Sequence, residues 1–342
     1  MICDIVEQGE PALPVLQIET GGSDERKVVL RRPWAWALCL VGVASAPLAE
    51  TEFSATAEAG YRVDELTWSI AGWNTGPGRS GQYVNVLSEL SWRDVQIREW
   101  VLGLEARHER VYFTGRVAVG DINDGDNQDS DYDFDDRQGE WSRSNNGVFG
   151  DTLDASMSLG YRFDLHRGDG AVMHLMPVVG AALHQQNFGM NDGFQTIYTP
   201  DPSLVGSGVL DGLNSTYDAE WETAWLGLSL WQSLTAQLTL RLDLEFHRGD
   251  YSAVANWNLR QDLAHPVSFA HWADGQGMVV GVNGRYTLSE QLFFMFGLSY
   301  GDWDTDPGVD RVFLSNGSIL ETPLNKAAWQ SLGLNLGVGL RF

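Results

Sequence analysis

The chain has 342 residues, 43% of them hydrophobic and 11% aromatic, and a formal net charge of −24. It is apolar enough to bury a core, which argues against disorder, while its acidity and lack of a basic stripe exclude a nucleic-acid partner. Beyond the N-terminal region no window of about 18 apolar residues exists, which excludes a bundle of transmembrane helices.

Arg26, Lys27, Arg31 and Arg32 precede an apolar stretch from Pro33 to Val43 and then the small-residue run Ala44-Ser45-Ala46-Pro47-Leu48-Ala49. That order is the pattern of a secretory signal, with cleavage expected after Ala49. Residues 1–49 are therefore expected to form an N-terminal extension and signal peptide, and residues 50–342 the mature domain. The acidic residues before Arg26 do not fit an export signal, and initiation near Val28 would remove them. Both cysteines, Cys3 and Cys39, fall in the removed part, and Leu38 before Cys39 does not suit lipid attachment.

The rest of the chain alternates with period two, one set of residues suited to lipid and the other to a polar interior. Candidate strands follow in order near 53–72, 85–107, 111–119, 153–163, 172–185, 222–231, 238–247, 278–288, 292–300 and 332–342. In the last, Leu332, Leu334, Leu336, Val338, Leu340 and Phe342 share one face, and Gly333, Asn335, Gly337, Gly339 and Arg341 the other. In the seventh, Leu238 to Phe246 alternate with Thr239, Arg241, Asp243, Glu245 and His247. Ten is an even number, as a closed bacterial barrel requires. The predicted fold is all-β, a ten-stranded antiparallel transmembrane β-barrel with long extracellular loops.

Short links near 107–110, 164–170, 232–236 and 287–291 mark the periplasmic side, and long ones near 73–84, 121–151, 186–221, 248–276 and 301–327 the outside. Trp68, Trp92, Trp100, Trp225, Trp231 and Trp329 near strand ends suit either interfacial belts or barrel packing. The inward charges Glu58, Arg116, Arg162, Arg241, Asp243, Glu245, Arg285 and Arg341 have mixed sign, so paired side chains are expected to fill a narrow interior. Phe342 closes the last strand as an outer-membrane assembly signal would.

The run from Asp121 to Asp136 concentrates the carboxylates. A solvated acidic loop is one reading. A second is cation binding by Asp129, Asp131 and Asp133, with Glu140 at the twelfth place of an EF-hand register; Phe134 occupies the place that needs glycine, which leaves only looser binding. A third is catalytic, since close carboxylates perturb each other and can position or deprotonate water. The chain has no phosphate loop, His-Glu-x-x-His or Gly-x-Ser-x-Gly, and no cofactor is expected.

Ser88-Glu-Leu-Ser-Trp-Arg93, Gly115 to Gly120 and Gln128-Asp-Ser-Asp-Tyr132 occur in the order found in omptins, and over the mature length the chain resembles these ten-stranded outer-membrane proteases. The resemblance implies that Asp129 and Asp131 are half of an active site. The other half in omptins is an Asp-x-His pair in the fourth outer loop, which is missing between 248 and 276. The one such triplet, Asp164-Leu165-His166, falls on a periplasmic turn. Substitutes are Asp262 with His265, His271 with Asp274, and Glu245 with His247. The loop without the omptin base is similar to the Protochlamydia outer membrane protein type.

These readings predict an omptin-like outer-membrane barrel acting as a non-proteolytic surface or narrow porin-like protein. The alternative is an endopeptidase in which Asp129 and Asp131 work with a relocated His265 or His247. Expected partners are outer-membrane lipid, lipopolysaccharide, the assembly machinery, and cations or cationic peptides at the acidic loops.

Overall fold

The computed structural model describes residues 51–75, 79–166, 172–199 and 208–342. The expected export segment, with Cys3 and Cys39, lies outside the described residues.

The strands are β1 (Thr51–Trp73), β2 (Tyr83–His108), β3 (Val111–Phe134), β4 (Gln138–Tyr161), β5 (Phe163–His166), β6 (Val172–Tyr198), β7 (Ser215–Ser233), β8 (Leu238–Asn256), β9 (Phe269–Thr287), β10 (Leu292–Thr305), β11 (Gly308–Phe313) and β12 (Ile319–Arg341). Ten of them run antiparallel around a ring, β1-β2-β3-β4-β6-β7-β8-β9-β10-β12, which closes through β1 on β12. Closure pairs the backbone groups that hydrocarbon could not solvate. The short β5 pairs with β6 at the periplasmic end. β11 bridges β9 and β12 at the outer end.

The period-two pattern decides which face meets lipid. Leu334, Leu336 and Val338 pair across the sheet with Leu298, Phe296 and Phe294, and all six side chains are exposed on the outer wall. A soluble protein does not expose an apolar band of this kind, whereas a bilayer-spanning barrel requires one.

A strand needs about 9–11 residues to cross a bilayer, yet β7 has 19 and β6 has 27. The surplus extends past the outer edge of the apolar band, where the outward face turns to Asp151, Asp218, Asp250, Asp274 and Asp302. This corrects the predicted loops. Residues 121–151 are mostly a β3–β4 hairpin turning at 135–137, and the links expected at 186–221, 248–276 and 301–327 shorten as β6 to β12 extend into them, whereas the link expected at 73–84 lies where predicted, between Trp73 and Tyr83. The outer face of these extensions meets water, so it lacks the apolar row by which the membrane-crossing part is recognised.

The lumen is filled. Arg62 contacts Asp64 at 3.0 Å, Glu99 at 2.8 Å and Asp154 at 2.6 Å. His184 Nδ1 lies 2.6 Å from Asp154, and the Gln186 amide donates to Asp64 at 3.0 Å. Toward the outer end this ion layer is covered by indoles: Trp303 stacks on Trp329 at 5.3 Å, and both meet Trp221. Toward the periplasm Arg241 pairs with Asp243, Arg285 with Glu105, and Arg162 with Asp164. Of the expected inward charges, Arg162, Arg241, Asp243, Arg285 and, with His247, Glu245 are paired, while Glu58, Arg116 and Arg341 form no ion pair among the described residues. Trp68, Trp92, Trp225 and Trp329 are buried inside and do not form belts; Trp100 alone of the six faces out, and Trp231 packs edge-on against Tyr112. A ring of ten strands leaves an interior that long side chains must fill, and indoles are the largest available.

Candidate functional site

A β-bulge sets the direction of the acidic pair. Low on β3 the even-numbered residues face the lumen, with Ala118 and Ile122 buried while Val117 and Val119 face out. Between Ile122 and Asp126 the register shifts, at Gly125 with φ 155°. Beyond it Asn127, Asp129 and Asp131 face inward. β2 carries a matching irregularity between Arg93 and Gln96, with Asp94 at φ 51°, so that Trp92 and Val95 both point into the core. One extra residue reverses every later side chain, so without the bulge the pair would face outward. At Gly125 a Cβ would lie 3.1 Å from Val95 Cα, so only glycine fits the bend.

Asp131 lies between Ser88 of β2 and Ser142 of β4, and both hydroxyls hydrogen-bond its carboxylate. Asp129 lies between Leu90 and Ser144 and accepts a hydrogen bond from the indole of Trp257, just past the end of β8. Arg260 acts on both carboxylates through its charge, while its guanidinium is held by Asp262 at 2.8 and 2.7 Å. Among the described residues neither Asp129 nor Asp131 forms a direct ion pair. Burial, followed by the charge of Asp131, pushes the Asp129 carboxyl up to about 8, and burial raises Asp131 as well. Two carboxyls so close hold a proton near neutral pH, which suits them to bind a cation in its place or to exchange a proton with water.

The third carboxylate of the predicted cation set goes elsewhere. Asp133 accepts from Asn74 at 2.7 Å and from Arg79 at 3.4 Å, and Arg79 stacks on Trp141. Among the described residues no group of three or more His, Cys, Asp or Glu side chains is placed to hold a metal ion.

The candidate bases separate. His265 is exposed at the rim, with Nδ1 2.8 Å from Asn256, while its proposed partner Asp262 is taken by Arg260. His247 is buried deep in the lumen, 3.0 Å from Thr223 and 3.1 Å from Glu245. Ten residues of strand, about 33 Å, separate it from the Trp257 that touches Asp129. The register thus removes His247 from the pair, although its expected contact with Glu245 exists. His271 pairs with Asp310, directly opposite on β11, and not with Asp274. Asp164 binds His174 at the periplasmic end. Phe342 is exposed, and its backbone N–H donates to Phe53. Trp257 and Arg260 were missed, because nothing in their local sequence ties them to residues on β3.

A family model described as Protochlamydia outer membrane protein matches residues 56–342. The chain belongs to the Protochlamydia outer membrane protein family. Its barrel is similar to that of the outer membrane protease OmpT of Escherichia coli, with a TM-score of 0.59 at 10% identity over 85% of this chain and 96% of that one. At that identity the likeness establishes the shared fold, the omptin-type ring, and nothing about activity. The translocator domain of the autotransporter NalP from Neisseria meningitidis aligns over 84% of this chain and 88% of its own, at 11% identity and a TM-score of 0.34. No curated protein matches. This Protochlamydia outer membrane protein family member is therefore an outer-membrane β-barrel of the ten-stranded kind, with the carboxylate pair at its outward mouth.

Proposed function

We propose that the protein is a non-conducting, non-proteolytic surface barrel whose mouth captures cationic groups on Asp129 and Asp131. One observation carries the reading: the pair has no direct ion pair among the described residues, while the lumen beneath is packed by the Arg62 ion layer and by indoles. A cation meeting the protonated Asp129 beside the charge of Asp131 displaces the proton and gains both charges. Trp257 alongside offers an aromatic face to an ammonium or guanidinium group. The filled lumen supports a surface role over the narrow-pore one.

The test uses the mature barrel refolded in detergent. An arginine-rich peptide is expected to bind, to bind more weakly as salt rises, and to lose affinity in an Asp129→Asn/Asp131→Asn variant. In planar bilayers the wild type is expected to show no steady conductance. Open channels would overturn the non-conducting reading, and binding indifferent to salt would overturn capture.

Proteolysis has one observation in its favour: a proton held near neutrality by paired carboxyls can serve acid–base chemistry on a water. Cleavage of a mixed fluorogenic peptide library by the wild type, lost in the double variant, would put that second reading first.

A further inference from the structure

Beneath β11 a buried chain of phenols, imidazole and carboxylate has no part in the function proposed above. Tyr251 and Tyr217 oxygens are 2.6 Å apart, Tyr217 lies 2.9 Å from His271 Nδ1, and His271 Nε2 lies 3.2 Å from Asp310. Asp310 also accepts from Thr322 at 2.7 Å. His271 Nε2 meets Asp310 through charge at 3.2 Å and makes no hydrogen bond. With the imidazole proton on Nε2 beside that carboxylate, Nδ1 is the acceptor; Tyr217 then donates to it, and Tyr251 donates to Tyr217.

The phenol is also wired by rings. Tyr217 stacks on Trp68 at 5.9 Å and meets Trp92 at 4.9 Å. Trp68 meets Phe269 at 5.6 Å, and Phe269 meets Trp257 at 4.7 Å. The path ends at the outward rim, where Trp257 is only half-buried. Indoles and phenols are the most easily oxidised side chains apart from thiols, and there is no cysteine among the described residues.

We propose that Tyr217 is a redox-active tyrosine that traps one-electron oxidising equivalents reaching the mouth of the barrel. A one-electron oxidant of the radical class takes an electron from Trp257, and Trp68 and then Tyr217 refill the hole. The Tyr217 O–H bond breaks, the proton forms an N–H bond at His271 Nδ1, and Asp310 balances the resulting imidazolium. One electron leaves to the oxidant, one proton moves about one hydrogen-bond length, and a neutral phenoxyl radical remains in a site closed to water. Burial and the neighbouring Tyr251 hold the Tyr217 phenol well above its usual range, so it has no phenolate route and must lose its proton together with its electron.

The test applies a photogenerated ruthenium(III) polypyridyl oxidant to the refolded barrel and follows radicals by transient absorption and electron paramagnetic resonance. The expected result is a phenoxyl signal whose formation slows in heavy water, replaced by shorter-lived indolyl signal in Tyr217→Phe, which keeps the ring packing. His271→Gln is expected to lower the phenoxyl yield several-fold. Heat-modifiable migration on gels verifies that each variant is folded. A phenoxyl yield that is the same in wild type and Tyr217→Phe, or no phenoxyl signal in either, overturns the proposal. A His271→Gln variant that is folded and matches wild type in yield and isotope effect overturns the proton step.

Discussion

Arg62→Met tests whether the lumen is sealed or wet. The guanidinium faces three carboxylates within 3.0 Å, Asp64 among them with no exposed surface. Methionine keeps most of the length, so the cavity term is small and the cost is that of leaving buried charge unpaired, roughly 3–5 kcal/mol. Urea unfolding of the barrel in lipid or detergent, read by the heat-modifiable gel shift, measures it. Neutralising the partners in the same background (Asp64→Asn, Glu99→Gln, Asp154→Asn) is expected to recover most of the loss, since a buried ion cluster replaced as a whole leaves no orphan charge. An Arg62→Met barrel within about 1 kcal/mol of wild type would refute the argument: it would mean that water screens the cluster as it does an exposed pair, and the non-conducting reading would fall with it.

Other expectations follow from the mouth. The Asp129 carboxyl is raised in the folded state, so its protonated form favours the native barrel, and stability is expected to fall as pH rises from about 4 to about 8. At about 1.4 kcal/mol per unit, reduced because the half-buried group is partly screened, the fall is about 2–3 kcal/mol. Unfolding midpoints across that window should show it, and Asp129→Asn should flatten it. Gly125→Val forces a branched side chain onto a positive φ and against Val95, which should cost about 1–3 kcal/mol and weaken peptide binding at the mouth. Arg260→Ala removes a cation acting on the pair and should tighten binding of an arginine-rich peptide in titration calorimetry; unchanged affinity would show that Arg260 does not compete.

The membrane-crossing half of the fold is legible wherever an apolar face alternates with a polar one. Leu332 to Phe342 and Leu238 to Phe246 do so without a break, and the short links between strands give the orientation. Above the bilayer both faces are polar or mixed, and residues 121–151 read as a loop although they pair as β3 and β4 along most of their length. Parity is the second failure. The reversal at Gly125 depends on where β2 and β4 sit beside β3, so nothing local in the sequence states that Asp129 faces Trp257. The interior indoles are ambiguous for a related reason: Trp92 and Trp100 lie eight residues apart, and only the intervening irregularity puts one inside and the other in lipid. His271 with Asp310 is a pair across thirty-nine positions that only the β9–β11 register brings together.

The extension of paired strands beyond the membrane also decides how the protein withstands its surroundings. A protease grips its substrate as an extended strand, by hydrogen bonds to free backbone groups. A closed ring offers none along its walls, because each strand is already bonded on both sides. Attack on the described part from outside is therefore confined to turns such as 135–137 and the segment 257–268 between β8 and β9. The second of these carries Trp257 and Arg260, so the site that meets the medium also lies on one of the described segments left open to cutting.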